Sequence, residues 1–292
     1  MAEAALAPTR TAAAPRIRLR LDWGGALGVI LTTLVVFVGA LGPKLAPHDP
    51  LEQTLEARLR PPAFVLGPDA HWLGTDNLGR DILSRVLAGA RPSLLVGLGA
   101  LVLAGLVGVP VGLASGYYRG RLDKIVMRLA DIQLAFPAIL LALAILAVAG
   151  SNNLNLVAVL ALGWWVIFAR VVRGEVLSLR EREFIGAAVA MGSGDLRIFR
   201  RHVLPNLAGT LLVLASVSLT RVILAEAALS FLGMGIQPPT PTCGGMISDG
   251  RAYLAVAWWV STMPGLALTL AVIGFNLLGD YLRDRIDPRL RT

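Results

Sequence analysis

Apolar positions along this chain fall into long unbroken blocks separated by short charged stretches. Charge-free runs cover Trp23–Pro43, Pro92–Tyr118, Ile132–Ala169, Ala227–Ser248 and Ala252–Gly279, and His202–Thr220 is nearly free of charge. A membrane-crossing helix needs about 20 predominantly apolar residues, so each run is a candidate span. Ile132–Ala169 is too long for one crossing and contains Gly-Ser-Asn-Asn-Leu-Asn from Gly150 to Asn155, turn formers that a lipid-facing helix avoids. Dividing it there predicts an all-α, polytopic membrane protein with six transmembrane helices, at about 23–45, 92–117, 127–149, 155–172, 206–229 and 256–279.

Composition agrees. Of 292 residues, 55% are hydrophobic and 16% charged, against about 25% charged in soluble domains; the mean hydropathy is +0.69. The net charge of +8 raises the question of nucleic acid, but the basic residues do not form one patch with interleaved aromatics. They lie between the apolar runs, which the positive-inside bias assigns to the cytoplasm. With the N-terminus inside, Arg10 to Arg20, Arg119 to Lys124, Arg173 to Arg201 and Arg283 to Arg291 all fall on that side, and both termini are cytoplasmic. The segment 44–91 goes against the count, but its basic residues alternate with acidic ones. The expected organisation is a cytoplasmic tail 1–22, a first transmembrane helix with an extracytoplasmic segment over 23–91, and a core of five further helices over 92–292. Trp23–Pro43 exceeds the apolar core of a signal peptide, about 7–15 residues, and reads as a retained span. The single cysteine, Cys243, excludes an internal disulfide and a cysteine-rich metal site.

Within the spans, Gly108, Gly112 and Gly116 recur every four residues, a spacing that lets two membrane helices approach closely. Asp131, Arg221 and Glu226 fall in apolar surroundings. Charges there normally face the protein interior or a wet cavity, so these three are candidates for a translocation path. Arg221 and Glu226 are five apart, a poor helical pair, and partners are expected on other helices or another subunit. An intramembrane enzyme would need a nucleophile–base set or a metal centre. No H-E-x-x-H or G-x-S-x-G is present, and His48, His71 and His202 are far apart in sequence. This reading assigns no catalytic and no metal-ligating residue. There is no G-x-x-x-x-G-K-[ST] phosphate loop either, so the chain carries no such nucleotide-binding motif of its own.

The segment 173–205 is the odd one. Gly186-Ala187-Ala188, Ala190 and Gly192 predict a short small-residue helix over 186–192 that glycine stops; Asp195 is placed to cap a second helix to Val203, and Pro205 marks the entry to the next span. Such a helix in a cytosolic loop is shaped for a groove in another protein. Gly186-Ala187-Ala188, three residues, Gly192 and then Leu204-Pro205 resemble the EAA loop of permease subunits of ATP-binding-cassette importers. Position 186 is glycine where the family has glutamate. His71 to Gly97, Leu229 to Leu254 and Phe275 to Arg289 resemble the C-type permease of the dipeptide, oligopeptide and nickel branch, with Cys243 at a position where the family has an aromatic. The resemblance implies a type I importer permease fold in a bacterial inner membrane. It further implies a coupling role for Gly186, Ala187, Ala188, Gly192, Asp195 and Pro205, and no cofactor on this chain. The implied partners are a second, B-type permease, two ATPase subunits using ATP-Mg and an extracytoplasmic binding protein. The implied cargo is di- or oligopeptide, with nickel, glutathione or another small solute as the alternative.

Overall fold

The computed structural model describes residues 23–63 and 71–286; the tail 1–22 and Arg289 and Arg291 lie outside the described residues. The described chain is helical: α1 (Trp23–Leu45), α2 (Ile82–Tyr118), α3 (Gly120–Leu134), α4 (Ala138–Ala149), α5 (Asn153–Arg180), α6 (Glu183–Ala190), α7 (Asp195–Ile198), α8 (Leu204–Phe231), α9 (Cys243–Gly250) and α10 (Trp259–Ile286). Five stretches are long and apolar enough to cross a bilayer, Trp23–Leu45, Ile82–Tyr118, Asn153–Arg180, Asp195–Phe231 and Trp259–Arg285.

The sixth expected span is not a single helix. Residues 127–149 divide into α3 and α4, which meet at a bend of 87°. The break sits at Pro137, which lacks an N–H and disfavours helix in the residue before it. α3 is amphipathic and α4 wholly apolar. Asp131 therefore belongs to the amphipathic arm and not to a straight crossing. Span edges also move: α2 begins ten residues before the expected 92, because Asp81 caps it, accepting from Ser84 N at 2.8 Å.

α2 and α5 form the most extensive helix pair. The glycine ridge makes it possible. A methyl group at Gly112 would lie 2.8 Å from Val172 Cβ, and one at Gly116 2.9 Å from Val176 Cβ; at Gly108 it would run into Phe168 Cβ and the Trp165 carbonyl. The helix that fills this ridge is α5 of the same chain, not a second subunit, so the ridge carries no argument for a membrane partner. α1 packs outside this pair, against α10 and α2. Between α1, α2, α8 and α10 lies a cavity of about 180 Å³ lined by Leu34, Leu94, Ile223, Leu268 and, at one wall, Glu226 and Cys243.

At the end of the bundle where α1 stops and α2 starts, residues 46–63 and 71–81 fold over α9 and the start of α10. Their anchor is Asp76, which is buried and accepts from Arg80 Nε at 2.7 Å, from Arg85 Nη1, and from the backbone of Leu78 and Arg80 at 2.9 and 3.0 Å. Arg85 also reaches Asp249 of α9 at 3.8 Å, and Trp259 Nε1 donates to the Thr75 carbonyl at 3.2 Å. Ile82, Met246, Ala257, Trp259 and Val260 close a small apolar core beneath. Of the charges here, Asp76, Arg80, Arg85 and Asp249 are thus paired with one another.

Candidate functional site: the segment between α5 and α8

α6 runs from Glu183 to Ala190, three residues earlier than the expected 186–192. It ends by a defined device. Gly192 N donates to Val189 O at 2.9 Å and Ser193 N to Ala188 O at 3.0 Å, the paired bonds of a Schellman cap. Gly192 has φ +76°, a left-handed conformation open to glycine and strained for other residues.

One face of α6 is spent on the chain itself. Ile185 and Ala188 are buried with Val172, Val176, Ile198, Val203 and Leu207, so Ala188 is a core residue here and not part of a face offered to a partner. Gly186 and Ala187 are exposed, and nothing lies within 4 Å of where a Gly186 side chain would point. The same surface carries large apolar side chains that the alanine–glycine pattern did not single out. Phe184 and Val189 are exposed, Leu196 is 69% exposed and Met191 79%. Beside them, Gly192, Gly194, Asp195, Arg197, Arg200 and Arg201 line a groove. The result is an apolar patch with a basic border. Single exposed apolar residues are ordinary; a cluster rimmed by polar groups marks an interaction surface.

Asp195 does not cap α7. That position is Gly194, and no side-chain cap bond forms there. Instead Asp195 accepts from Tyr117 Oη at 3.1 Å and from Tyr118 Oη at 2.8 Å, tying the segment to the end of α2. Phe199 stacks edge-on against Tyr117 at 4.8 Å, Arg180 lies 5.3 Å over the same ring, and Arg119 pairs with Glu181 at 3.0 Å. These contacts continue directly from the glycine ridge. Pro205 stands in the first turn of α8, at the entry expected of it. Helix runs through it from Asp195 to Phe231, with a π-helical turn over Phe199–Val203. Proline has no N–H and its ring crowds the carbonyl four residues back, here that of Arg201; the wider turn gives that ring room, and Asn206 Nδ2 donates to the His202 carbonyl at 2.6 Å.

The path candidates are dispersed. Asp131 is exposed and paired with Arg170 of α5; nearby, Arg173 Nη2 donates to Asp123 at 2.7 Å and Trp165 Nε1 to Gln133 at 2.8 Å, so α3 is fastened along α5 by polar pairs. Arg221 is exposed, and among the described residues no carboxylate pairs with it. Glu226 is 1% exposed at the edge of the apolar cavity and accepts from Ser230 Oγ at 2.7 Å. That partner is on its own helix, one turn on, and Ser93 of α2 meets the same carboxyl from across the bundle. Burial pushes the Cys243 thiol up to about 12, with the Glu226 carboxyl acting in the same direction. Finally, the chain brings His48 and His71 together although their sequence separation argued against any such set: the two ring centroids are 4.8 Å apart, with Asp81 between them.

Comparison with known proteins decides what this bundle belongs to. Residues 108–292 match the family described as binding-protein-dependent transport system inner membrane component. The chain belongs to that family. It is a permease subunit of an importer, with no strand among its described residues and with several membrane-length helices. It is 44% identical over 270 residues to the di/tripeptide transport system permease protein DppC of Pseudomonas aeruginosa, covering 92% of this chain and 89% of that protein. It is also 44% identical over 227 residues to the glutathione transport system permease protein GsiD of Pectobacterium atrosepticum, covering 77% of this chain and 75% of that one. Its fold is similar to a chain of the inward-facing MetNI methionine ABC transporter, with a TM-score of 0.56 at 20% identity, covering 70% of this chain and 96% of that one.

Proposed function

We propose that this permease carries di- or tripeptides and is driven by ATPase subunits that dock on the α6–α7 surface. The observation that carries the cargo is the identity to a di/tripeptide permease over 92% of the chain. Glutathione, itself a peptide-like solute, is the second reading, favoured by the equal identity over a shorter span to a glutathione permease. The segment bearing α6 lies on the cytoplasmic side, where its arginines place it by the positive-inside bias, and both termini share that side. Residues 46–81, α9 and the α4–α5 turn face outward toward a substrate-binding protein.

In this reading the exposed residues Gly186, Ala187, Phe184, Val189, Met191 and Leu196 contact the ATPase, while Ala188, Gly192 and Asp195 hold the docking element in shape. Motion passes from the docked helix along two routes. One is the continuous helix through Pro205 into α8; the other runs from Asp195 through Tyr117 and Tyr118 into the tightly packed α2–α5 pair. A second, B-type permease completes the path, with Arg221 facing it. ATP-Mg is bound by the two ATPase subunits, and this chain needs no cofactor of its own. Proteoliposomes holding the full set of subunits and the binding protein test this directly. ATP-dependent uptake of labelled dipeptide is expected, with glutathione a poor competitor; uptake of glutathione alone transfers the assignment to the second reading.

A further inference from the structure

We infer that His48, His71 and Asp81 form a binding site for one divalent transition-metal ion of the zinc class, which clamps the outward segment 46–81 onto the start of α2. Three regions meet there: the turn after α1, the end of the outward segment and the cap of α2. Their ligand atoms all lie within 4.8 Å of one another. Imidazole nitrogen with a single carboxylate oxygen is a donor set suited to zinc and its neighbours.

Charge balance argues for a cation. Asp81 is 2% exposed, and a buried carboxylate requires a compensating positive charge or neutralisation. Arg80 and Arg85 do not supply it, since both are directed to Asp76 and Asp249. The ion-pair contacts of Asp81 among the described residues are His71 Nδ1 at 3.0 Å and His48 Nδ1 at 3.7 Å. With neutral imidazoles the charge meets only the Ser84 hydrogen bonds and the N-terminus of α2; a bound cation adds a full positive charge while keeping both rings neutral, as metal ligation requires.

Geometry agrees. His48 Nδ1 is sheltered and makes no hydrogen bond, yet it faces Asp81 at a distance too long for one. Zinc bonds of about 2.0–2.2 Å in a tetrahedron set ligand atoms about 3.3–3.6 Å apart; His71 Nδ1 lies 3.0 Å from Asp81 Oδ1, and His48 Nδ1 lies 3.7 Å from the other oxygen, Oδ2. Closing the set falls mainly to His48, whose side chain is 34% exposed and can turn. Asp81 is already oriented as a ligand should be. Its Oδ2 accepts from Ser84 N and Ser84 Oγ at 2.8 and 2.7 Å, and the His48 backbone N–H donates to the same Ser84 Oγ at 3.0 Å. Such outer contacts fix a ligand's direction. Three protein ligands leave a fourth position for water.

The test uses the full chain purified in detergent, stripped with chelator, then loaded with zinc chloride and passed through gel filtration. One zinc per chain is expected to remain, with a rise in unfolding temperature that chelator reverses. His48→Ala removes a side chain without a hydrogen bond, and His71→Gln keeps a hydrogen-bonding partner for Asp81, so both are expected to elute and to show helix content as the wild type does. Each is expected to lower zinc affinity by about tenfold or more. Cobalt(II) in place of zinc is expected to give visible absorption in the wild type and to lose it in both variants. Two results overturn the proposal: a wild-type chain that retains no more zinc than His48→Ala, or zinc that persists undiminished in the double variant.

Discussion

The two ends of this bundle are fastened in opposite ways. At the end where α2 starts, buried charges are paired within the chain: Asp76 takes four donors, and Arg85 reaches across to Asp249. At the other end, the α6–α7 segment buries little beyond Ile185, Ala188 and Ile198, is held by two tyrosine hydroxyls, and leaves Met191 and Leu196 exposed. The first end is braced by charge pairs of its own, and the second leaves an apolar surface uncovered. Charges paired within the chain point to a structural role, whereas clustered apolar side chains left in water mark an interaction surface.

The largest effect that can break this contrast is at Asp76. Asp76→Ala leaves Arg80 and the buried Arg85 without their main acceptor, and removing one member of a buried pair costs about 3–5 kcal/mol. The expected outcome is a large fall in the unfolding temperature of the detergent-purified chain, or loss of folded protein altogether. Stability close to the wild type would mean that this end is not held by its charges.

Next is the ridge. Gly112→Val places a branched side chain where even a methyl lies 2.8 Å from Val172 Cβ, and overpacking of this kind typically costs about 1–3 kcal/mol. Gly186→Ala is the control, since its Cβ meets open space; it is expected to leave stability unchanged. Equal behaviour of the two variants in a thermal unfolding series would remove the α2–α5 contact from the account.

At the α6–α7 end the expected stability effects are smaller and the functional ones larger. Gly192→Glu must adopt φ +76°, which costs a residue with a side chain about 1–2 kcal/mol, and it adds a charge beside the apolar patch. Membrane insertion is expected to persist while substrate-stimulated ATP hydrolysis by the assembled importer falls. Tyr117→Phe with Tyr118→Phe removes both hydroxyls from Asp195, each worth about 0.5–1.5 kcal/mol. Here ATPase subunits are expected to remain bound, with transport per ATP hydrolysed reduced. Unchanged coupling would confine those tyrosines to local packing. The smallest effect is chemical: with its thiol pushed up to about 12, Cys243 stays protonated near pH 8, so maleimide labelling of the native chain is expected to be slow and to become fast on unfolding.

Much of this was legible in the sequence. Charge-free runs located the long helices, because lipid leaves only one way to satisfy a backbone in a single segment. The glycine spacing marked a close contact, though it could not say which helix filled it; spacing describes a surface, not its neighbour. Pro137 marks the break between α3 and α4, but the charge-free run across it reads as one continuous span. Asp195 looked like a cap because capping is local, whereas its actual partners are some 77 residues away at Tyr117 and Tyr118. Long-range pairs such as His48 with His71, or Arg85 with Asp249, leave no periodic trace. Exposure was the other blind spot: nothing in the composition of α6 separates Ala188, which is buried, from Met191, which is not.

The central claim is that the exposed face of α6 and α7 is the seat of the ATPase. Affinity purification of a tagged permease, co-expressed with its second permease and ATPase subunits, measures this most directly. Met191→Glu combined with Leu196→Glu changes two exposed side chains that the fold does not use. The second permease is expected to co-purify as before, while recovery of the ATPase subunits falls by about tenfold or more, as when a buried anchor is lost from an interface. Undiminished recovery of the ATPase with the double variant would contradict the account.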